Sequence, residues 1–397
     1  MNINKKMLEL GSKRSIIREI FEFGKIRASE IGKENVYDFS LGNPSVKPPK
    51  KVDETIVSLV NNCNSTALHG YTSATGDLEV RKAITNNINK RFNVGINENL
   101  IYMTCGAAAS LSITLRAILN EDEEVIVFAP FFTEYRVFIE SAFGKVVVSN
   151  PLEKDFQIDL ADFESKITPK TKAIILNSPN NPSGVVYNEQ TIKGVCQILN
   201  KKSKEFGTEI VLISDEPYRE LVYGDINVPY LMNYYNNCIV CYSFSKSLSL
   251  PGERIGYIAI SPKLTEVKNV YNAICGAGRA LGYVCAPSMF QKVIKECLDC
   301  SVDIESYKKN RDLLYNSLVK LGFNCIKPDG AFYLFVKSPS NDAFDMYEKA
   351  KQFNILIVPC DDFGIKGYCR ISYCVAYDMI ERSIPAFEKL AKVYKLN

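Results

Sequence analysis

Seven short runs of apolar, largely β-branched residues recur through the middle of the chain, and they constrain its fold more than any other feature. Several runs are apolar on both faces, which is typical of strands in a parallel sheet that helices cover on both sides. Amphipathic segments separate the runs, as they do in α/β proteins. We therefore predict a large α/β domain with a mostly parallel seven-stranded sheet covered by helices, with strands at residues 100–104, 124–129, 145–149, 172–177, 209–214, 238–243 and 255–260.

The remaining sequence predicts a smaller α+β domain. In IESYKKNRDLLYNSLVKLG the leucines recur at helical spacing and Gly322 is a plausible stop, after which strand and helix patterns alternate more loosely. We expect the N-terminal segment of the small domain at residues 1–47, the large domain at 48–300 and the C-terminal part of the small domain at 301–397. No repeat or flexible linker is present, so the two domains are expected to pack closely.

Composition excludes several classes of protein. The chain has 397 residues, of which 46% are hydrophobic, enough for about two domains and a substantial core. Its 48 lysines and arginines exceed its 45 acidic residues by only three and form no sustained run. Neither nucleic acid nor a membrane surface is therefore indicated as a partner, and small molecules are expected instead. The N-terminus lacks a signal-peptide pattern, and no apolar stretch is long enough to span a bilayer.

The thirteen cysteines have no framework spacing. Because their number is odd, they fit reduced thiols in a cytoplasmic protein better than a set of disulfides. Cys297 and Cys300 form a lone C-x-x-C. A metal site requires a second such pair and a redox motif requires a thioredoxin-like context, so neither is favoured and no metal is expected.

Polar residues follow the predicted strands, at the edge of an open α/β sheet where ligands bind. In TCGAAAS, a strand passes through Gly106 into a helix start whose free N–H groups attract phosphate, although a glycine turn that packs helix on sheet also explains these residues. In NSPNNPSG, two prolines bracket Asn180 and Asn181 in a rigid turn. This turn either presents Asn181 as a hydrogen-bond partner or forms an Asx-turn.

Two further strand ends carry ionisable groups. In DEPY, Asp215 either pairs with a cation or a protonated ring nitrogen, or caps a helix, and Tyr218 follows three residues later. In SFSKSLSLPGERIG, Lys246 lies among serines near an arginine, which disfavours its ammonium form, and such a lysine forms a Schiff base with a carbonyl. Ser243 and Arg254 suit a phosphate. Together these groups describe a pyridoxal phosphate site.

In this order and at these separations, the motifs resemble those of the class I aminotransferases of the aspartate aminotransferase superfamily, which are pyridoxal phosphate enzymes of fold type I. The resemblance extends from SLGNPS, at Ser40, to CRISYC, ending at Cys374. It implies that Lys246 holds the cofactor and then moves the proton at the substrate Cα, while Asp215 pairs with the pyridinium nitrogen. The other cofactor contacts that it implies are Asn181 and Tyr218 at the phenolic oxygen, Phe132 stacked on the ring, and Ser243, Ser245, Arg254 and the amides of Ala107 and Ala108 at the phosphate. By pattern alone, Phe132 is a core residue.

The resemblance also implies a homodimer with shared active sites. Tyr71 matches a tyrosine that reaches the phosphate of the neighbouring subunit, so an isolated monomer is expected to be inactive. Arg370 matches the arginine that clamps the substrate α-carboxylate, with Gly42 and Asn181 also expected at the substrate. Without the resemblance, Arg370 would be interpreted as a surface ion-pair partner. The chain departs from the family at Cys360, where glycine is usual, and a substrate-side loop of different shape is expected there.

The identity of the substrate depends on which residue meets its side chain. In one subgroup a lysine just after the phosphate-loop glycines binds the side-chain carboxylate, but Ala108 stands at that position. In another subgroup an arginine of the partner subunit does so, and Arg279 matches it, with a structural ion pair as the alternative. The leading interpretation is a transaminase for an acidic L-amino acid and a 2-oxo acid such as 2-oxoglutarate. A C–S β-lyase of the cystathionine lyase type and a non-catalytic cofactor-binding regulator are the alternatives.

Overall fold

The computed structural model describes residues 3–12 and 16–396 of the chain. The described residues form the strands β1 (Tyr37–Asp38), β2 (Ile101–Thr104), β3 (Glu124–Phe128), β4 (Lys145–Ser149), β5 (Thr171–Asn177), β6 (Val211–Asp215), β7 (Cys238–Ser243), β8 (Gly256–Ile260), β9 (Cys325–Ile326), β10 (Tyr333–Lys337), β11 (Ile355–Leu356), β12 (Val358–Pro359) and β13 (Tyr368–Ser372). They also form the helices α1 (Lys5–Ser12), α2 (Ile16–Ile31), α3 (Lys50–Asn62), α4 (Ser65–His69), α5 (Leu78–Phe92), α6 (Ala107–Ile118), α7 (Glu134–Ser141), α8 (Leu160–Lys166), α9 (Glu189–Phe206), α10 (Phe244–Ser247), α11 (Val267–Ala280), α12 (Ser288–Cys297), α13 (Ile304–Lys320), α14 (Ala343–Lys351) and α15 (Tyr377–Val393). Over this part of the chain, none of the helices is long and apolar enough to cross a membrane.

The largest sheet has seven strands in the order β2-β8-β7-β6-β5-β3-β4. These are the seven strands predicted from the apolar runs, with ends that agree to within two residues. β8 runs antiparallel to both of its neighbours, and all the other pairings are parallel. The predicted α/β fold with a mostly parallel seven-stranded sheet is therefore confirmed.

Alternate residues of the central strands enter two hydrophobic cores, one on each face of the large sheet. In β6, for example, Leu212 packs in one core and Ile213 in the other. Helices α5, α9 and α12 contribute to the first core, and α6, α7 and α11 contribute to the second. Burial on both faces explains why these strands are apolar at almost every position.

A four-stranded antiparallel sheet in the order β12-β13-β10-β9 lies in the C-terminal part of the chain. Its core includes residues of α13, α14 and α15 and also Phe39 from the N-terminal segment, whereas Val52 of α3 packs in a core of the large sheet. The helix predicted before Gly322 is α13, and Gly322 follows it with a φ of 83°. The domain boundaries at residues 47/48 and 300/301 stay a prediction, and residues 1–2, 13–15 and 397 of the predicted segments lie outside the described residues.

Candidate active site

A cavity of about 300 Å³ lies where β5, β6 and β7 of the large sheet end. Asn177, Asp215 and Ser243, the last residues of these strands, line it together with residues of the N-terminal segment and of the small sheet. All the site residues predicted from the sequence line this cavity except Tyr71 and Arg279, namely Gly42, Ala107, Ala108, Phe132, Asn181, Asp215, Tyr218, Ser243, Ser245, Lys246, Arg254 and Arg370.

The Asp215 side chain is buried at the centre of this group. Tyr135 donates a hydrogen bond of 2.5 Å to Oδ2, while Oδ1 has no partner among the described residues. Burial raises the pKa of Asp215 to about 7, opposed by the Tyr135 hydrogen bond and assisted by the charge of Glu216. The helix-cap alternative does not apply, because no helix begins at Asp215. A half-satisfied buried carboxyl indicates a polar ligand group on its open side.

Asn177 and Asn181 form one rigid unit at the end of β5. Asn177 donates to the main-chain oxygen of Asp215 at 2.9 Å and accepts from the Asn181 main-chain nitrogen at 2.8 Å. No Asx-turn is observed at Asn181; instead, the side-chain oxygen of the neighbouring Asn180 accepts from Ser183 N at 3.1 Å. The side chain of Asn181 is thereby left to face the cavity.

Lys246 lies in the short helix α10, directly after β7. Its Nζ donates to the Gly42 main-chain oxygen at 2.6 Å and stands 5.3 Å from the centre of the Phe332 ring. Burial lowers the pKa of Lys246 to about 8; the nearby Cys374 thiol opposes this effect, and the positive charges of Arg370 and Arg254 add to it. A neutral amine, which can act as a nucleophile or a base, is thus accessible near physiological pH.

The N-terminus of α6 forms a corner of the cavity with exposed helix-start amides. Gly106 precedes the helix with a φ of 91°, and no side chain caps the first amides, those of Ala107 and Ala108 among them. A Cβ at Gly106 would lie 2.9 Å from the Arg254 guanidinium, so only glycine permits this close approach. The hydroxyls of Ser243 and Ser245 lie 2.7 Å apart beside it. Free amides, hydroxyls and a guanidinium together suit a phosphate.

Arg370 projects from β13 and is only 2% exposed, so it is not the surface ion-pair partner that its local sequence suggests. Its guanidinium donates to the Asn181 side-chain oxygen at 3.1 Å and to the Ser40 main-chain oxygen at 2.7 Å. Nε has no acceptor among the described residues, and the Tyr333 ring lies 4.7 Å from the guanidinium carbon. A buried guanidinium without a carboxylate partner indicates an anionic ligand.

Three residues that matter to the cavity were missed from the sequence. Tyr135 lies three residues after Phe132, in the first turn of α7, and packs edge-on against that ring. Tyr333 lies 2.9 Å from Tyr218, hydroxyl to hydroxyl, and its hydroxyl would meet a Cβ at Gly42 at 2.1 Å. Ile17 of α2 lines the cavity from the N-terminal segment. Tyr135 could have been found from its spacing of three residues after Phe132, but the sequence around Tyr333 and Ile17 does not indicate a place in the cavity.

Tyr71 and Arg279 are the two predicted site residues that the fold of a single chain does not bring to the cavity. Tyr71 is 90% exposed. Arg279 is exposed near the end of α11 and makes no hydrogen bond or ion pair with any described residue. A structural ion pair within the described chain is therefore not observed at Arg279.

Cys360 does not line the cavity. It is fully buried, donates to the Val358 main-chain oxygen at 3.3 Å, and precedes a turn of 3₁₀ helix, Asp361–Phe363. Its φ of −111° is ordinary for any residue, so a side chain is accepted where the family usually has glycine. Burial raises the pKa of the Cys360 thiol, which therefore stays protonated. The different loop shape expected here stays a prediction.

Comparisons with known proteins agree with this geometry. The family model for aminotransferase class I and II matches residues 34–387. The probable aspartate aminotransferase of Methanocaldococcus jannaschii is 31% identical over 95% of this chain and 97% of its own length. The aromatic-amino-acid aminotransferase 2 of Thermococcus litoralis is 27% identical over 96% and 97%, respectively. A solved structure of an amino transferase from Eubacterium rectale is 53% identical, covers 99% of both chains and superposes with a TM-score of 0.98.

Proposed function

The chain belongs to the class I and II aminotransferases, which depend on pyridoxal phosphate, and we propose that it transfers the amino group of an acidic L-amino acid, of the aspartate or glutamate type, to a 2-oxo acid such as 2-oxoglutarate. One observation carries the assignment of the site. A single cavity unites the amine of Lys246, the buried carboxyl of Asp215 with one open oxygen, and the buried guanidinium of Arg370 with one open N–H.

The residues present fit pyridoxal phosphate. Asp215 Oδ1 is buried without a partner in the described part of the chain, and a protonated ring nitrogen supplies one. The corner formed by the start of α6, Ser243, Ser245 and Arg254 suits the phosphate, and Phe132 lines the same cavity. When bound, the cofactor supplies a ring that withdraws electrons from the substrate Cα.

The chain's own groups then hold the cofactor and substrate and move a proton. Lys246 Nζ is proposed to hold the cofactor and to remove the proton from the substrate Cα, a task for which an amine of pKa about 8 is suited. Arg370 is proposed to bind the substrate α-carboxylate opposite Gly42, with Asn181 orienting the guanidinium. Asn181 and Tyr218 are proposed to donate to the phenolic oxygen of the cofactor, with Tyr333 holding the Tyr218 hydroxyl in place.

An acidic substrate brings a second carboxylate, which requires a further cation. In the described part of the chain, the cations that line the cavity are Lys246, Arg254 and Arg370, and each is already used. The exposed, unpaired guanidinium of Arg279 is suited to enter the site of a second copy. The Methanocaldococcus relative is named as an aspartate aminotransferase, which supports an acidic substrate. The Thermococcus relative is named as an aromatic-amino-acid aminotransferase, so the preference for the substrate side chain has to be tested.

A homodimer with shared active sites follows from the same proposal. Tyr71 is 90% exposed, which is unusual for a large aromatic side chain. In the proposed dimer, Tyr71 of the partner subunit reaches the phosphate and Arg279 of the partner subunit meets the substrate side chain. An isolated subunit is then expected to be inactive.

The visible absorption of the bound cofactor tests the reaction when single compounds are added without an acceptor. L-aspartate, L-glutamate, L-alanine, a branched-chain amino acid and cystathionine are to be compared. We expect aspartate or glutamate to change the absorption and to release the corresponding oxo acid without ammonia. If only cystathionine reacts, releasing pyruvate, ammonia and a thiol, the C–S β-lyase is the function instead.

The Arg279→Ala variant tests the substrate class. Losing a charge-assisted hydrogen bond to a carboxylate costs about 1.5–3 kcal/mol, so kcat/KM for aspartate and glutamate is expected to fall about 10- to 100-fold, while that for alanine stays unchanged. Lys268→Ala is the matched control, because it removes one exposed positive charge from the same helix. If both variants keep the wild-type ratio of acidic to neutral substrates, Arg279 does not bind the substrate.

A further inference from the structure

A second cavity, of about 320 Å³, adjoins the segment that carries the active-site lysine. Ser245 and Lys246 line the active-site cavity, whereas the next two residues, Ser247 and Leu248, line the second one. The thiol-bearing residues Cys297 and Cys300, the lone C-x-x-C of the sequence, also line it. The proposed aminotransferase chemistry uses neither of them.

Residues 298–303, which we term the connector, join two separate cores. Helix α12 ends at Cys297 and packs through Ile294 in a core of the large sheet. Helix α13 begins at Ile304 and packs through Leu314 in the core of the small sheet. A bond between Cys297 and Cys300 therefore ties the first half of the connector back to α12.

The main chain brings the two cysteines into range of a disulfide. Cys300 N donates to Cys297 O at 3.0 Å, and such a turn holds Cα atoms three residues apart within about 7 Å. Disulfides span about 4.4–6.8 Å between Cα atoms. Burial, together with the neighbouring Cys300 thiol, raises the pKa of Cys297.

The two thiols differ in their access to solvent. Cys300 is partly exposed, and its neighbours Asp299 and Ser301 are exposed, so Cys300 is the more accessible of the two cysteines to a small reagent. Cys297 is 0% exposed and lies on the inner wall of the cavity. This arrangement makes Cys300 the thiol that reacts first and Cys297 the thiol that resolves the product.

We propose that Cys297 and Cys300 are a modification site at which a low-molecular-weight disulfide converts two thiols into an intramolecular disulfide that stiffens the connector. Cys300, as thiolate, attacks one sulfur of the reagent RSSR; the reagent's S–S bond breaks and the first RSH leaves with a proton from solvent. Cys297 then loses its proton, attacks the Cys300 sulfur and releases the second RSH. The protein dithiol is oxidised by two electrons and RSSR is reduced to two RSH, so the exchange balances, and an added dithiol reverses it.

Peptide mass spectrometry of the holoenzyme tests the bond directly. The reduced protein is treated with oxidised glutathione in mildly alkaline buffer, alkylated and digested with trypsin. Both cysteines fall in one tryptic peptide, ECLDCSVDIESYK. We expect this peptide without alkyl or glutathionyl groups and lighter by two hydrogens, and its return to the doubly alkylated form after a dithiol reductant. Amide hydrogen exchange across residues 298–303 is expected to slow several-fold in the oxidised protein.

Single variants separate the two roles. In Cys297→Ser, the Cys300 thiol is expected to retain one glutathionyl group, because no resolving thiol is present. In Cys300→Ser, the buried Cys297 is expected to stay unmodified. The exposed Cys63 is the internal control for reactivity with glutathione. Three results with the wild-type protein would overturn the proposal. These are a glutathionyl group that remains on Cys300, alkylation of both cysteines after the treatment, and unchanged amide exchange in the connector of the oxidised protein. None of these readouts depends on transamination.

Discussion

The two cavities that meet around α10 are almost equal in volume, about 300 Å³ and about 320 Å³, yet their charged groups are arranged in opposite ways. In the second cavity, Arg91 makes a two-bonded ion pair with Glu220, and Tyr242 donates to the same carboxylate at 3.3 Å. In the active-site cavity, Asp215 and Arg370 each keep a buried polar atom without a partner in the described chain. Leaving such atoms unpaired is costly unless a ligand satisfies them.

This difference teaches that unsatisfied buried charge, and not volume, distinguishes a cavity suited to a charged ligand from a cavity of nearly equal size whose main ion pair is already formed. In the second cavity, Arg91 and Glu220 satisfy each other, so neither is open to a charged ligand unless their ion pair breaks. The unpaired cavity presents a carboxyl, an amine and two guanidiniums to the same space. Three experiments compare the two cavities, and the largest effect is expected at Lys246.

Replacing Lys246 by alanine is expected to lower kcat for transamination by about 10²- to 10⁴-fold, because the proposed base at the substrate Cα is lost. Ser247→Ala is the control, since Ser247 is the adjacent residue but lines the other cavity. The kcat values of both variants are measured by steady-state kinetics, with the amino acid that reacts best in the absorption experiment. Equal losses in the two variants would show that the segment around α10 acts as a structural unit and that Lys246 has no separate chemical role.

Replacing Arg370 by alanine is expected to lower kcat/KM by about 10²- to 10³-fold, the usual result of removing one partner of a buried charge-assisted contact. Arg91→Ala makes the same change in the paired cavity. There we expect kcat/KM to stay near the wild-type value and the free energy of unfolding to fall by about 1 kcal/mol or less, because the Arg91–Glu220 pair is partly exposed. If Arg91→Ala lowers kcat/KM as much as Arg370→Ala does, the conclusion that only the unpaired guanidinium binds substrate is wrong.

The apo protein with Asp215→Asn tests the cost of the unsatisfied carboxyl. The pKa of Asp215 is raised from 3.8 to about 7 by burial, so the folded state retains a proton that the unfolded state has lost between these pH values. Wild-type stability contributed by this group is present below pH 4 and declines as the pH rises through 7. Relative to the variant, the apo wild type is therefore expected to lose about 2–4 kcal/mol of unfolding free energy between pH 4 and pH 8.

Urea unfolding of the two apo proteins across this pH range measures the difference. Curves that stay parallel from pH 4 to pH 8 would mean that Asp215 is already ionised and satisfied in the folded apo protein. Glu220→Gln in the paired cavity is the matched comparison, because it makes the same carboxyl-to-amide change in a carboxylate that Arg91 already pairs.

The proposed cofactor side of the site was predictable because most of its groups, although not Arg254, lie shortly after a strand of the large sheet. Because the parallel strands end at the same edge of the sheet, Asp215, Ser243 and Lys246 lie in one cavity, and this does not depend on the conformations of the loops. The substrate side was not predictable without the family resemblance. Arg370 and Gly42 lie 328 residues apart in the chain and meet only because the N-terminal segment packs on the small sheet.

Local pattern determined the strands, the glycine turn at Gly106 and the position of Lys246 just after β7, because backbone propensity and side-chain chemistry act over a few residues. Tertiary structure decided which groups remain unsatisfied: that Tyr135 pairs with only one oxygen of Asp215, that Tyr333 binds Tyr218, and that Arg279 is left outside the cavity of its own chain. Burial and hydrogen-bond satisfaction depend on contacts between residues far apart in sequence. These contacts lower the pKa of Lys246, raise that of Asp215 and leave Arg370 open to an anion.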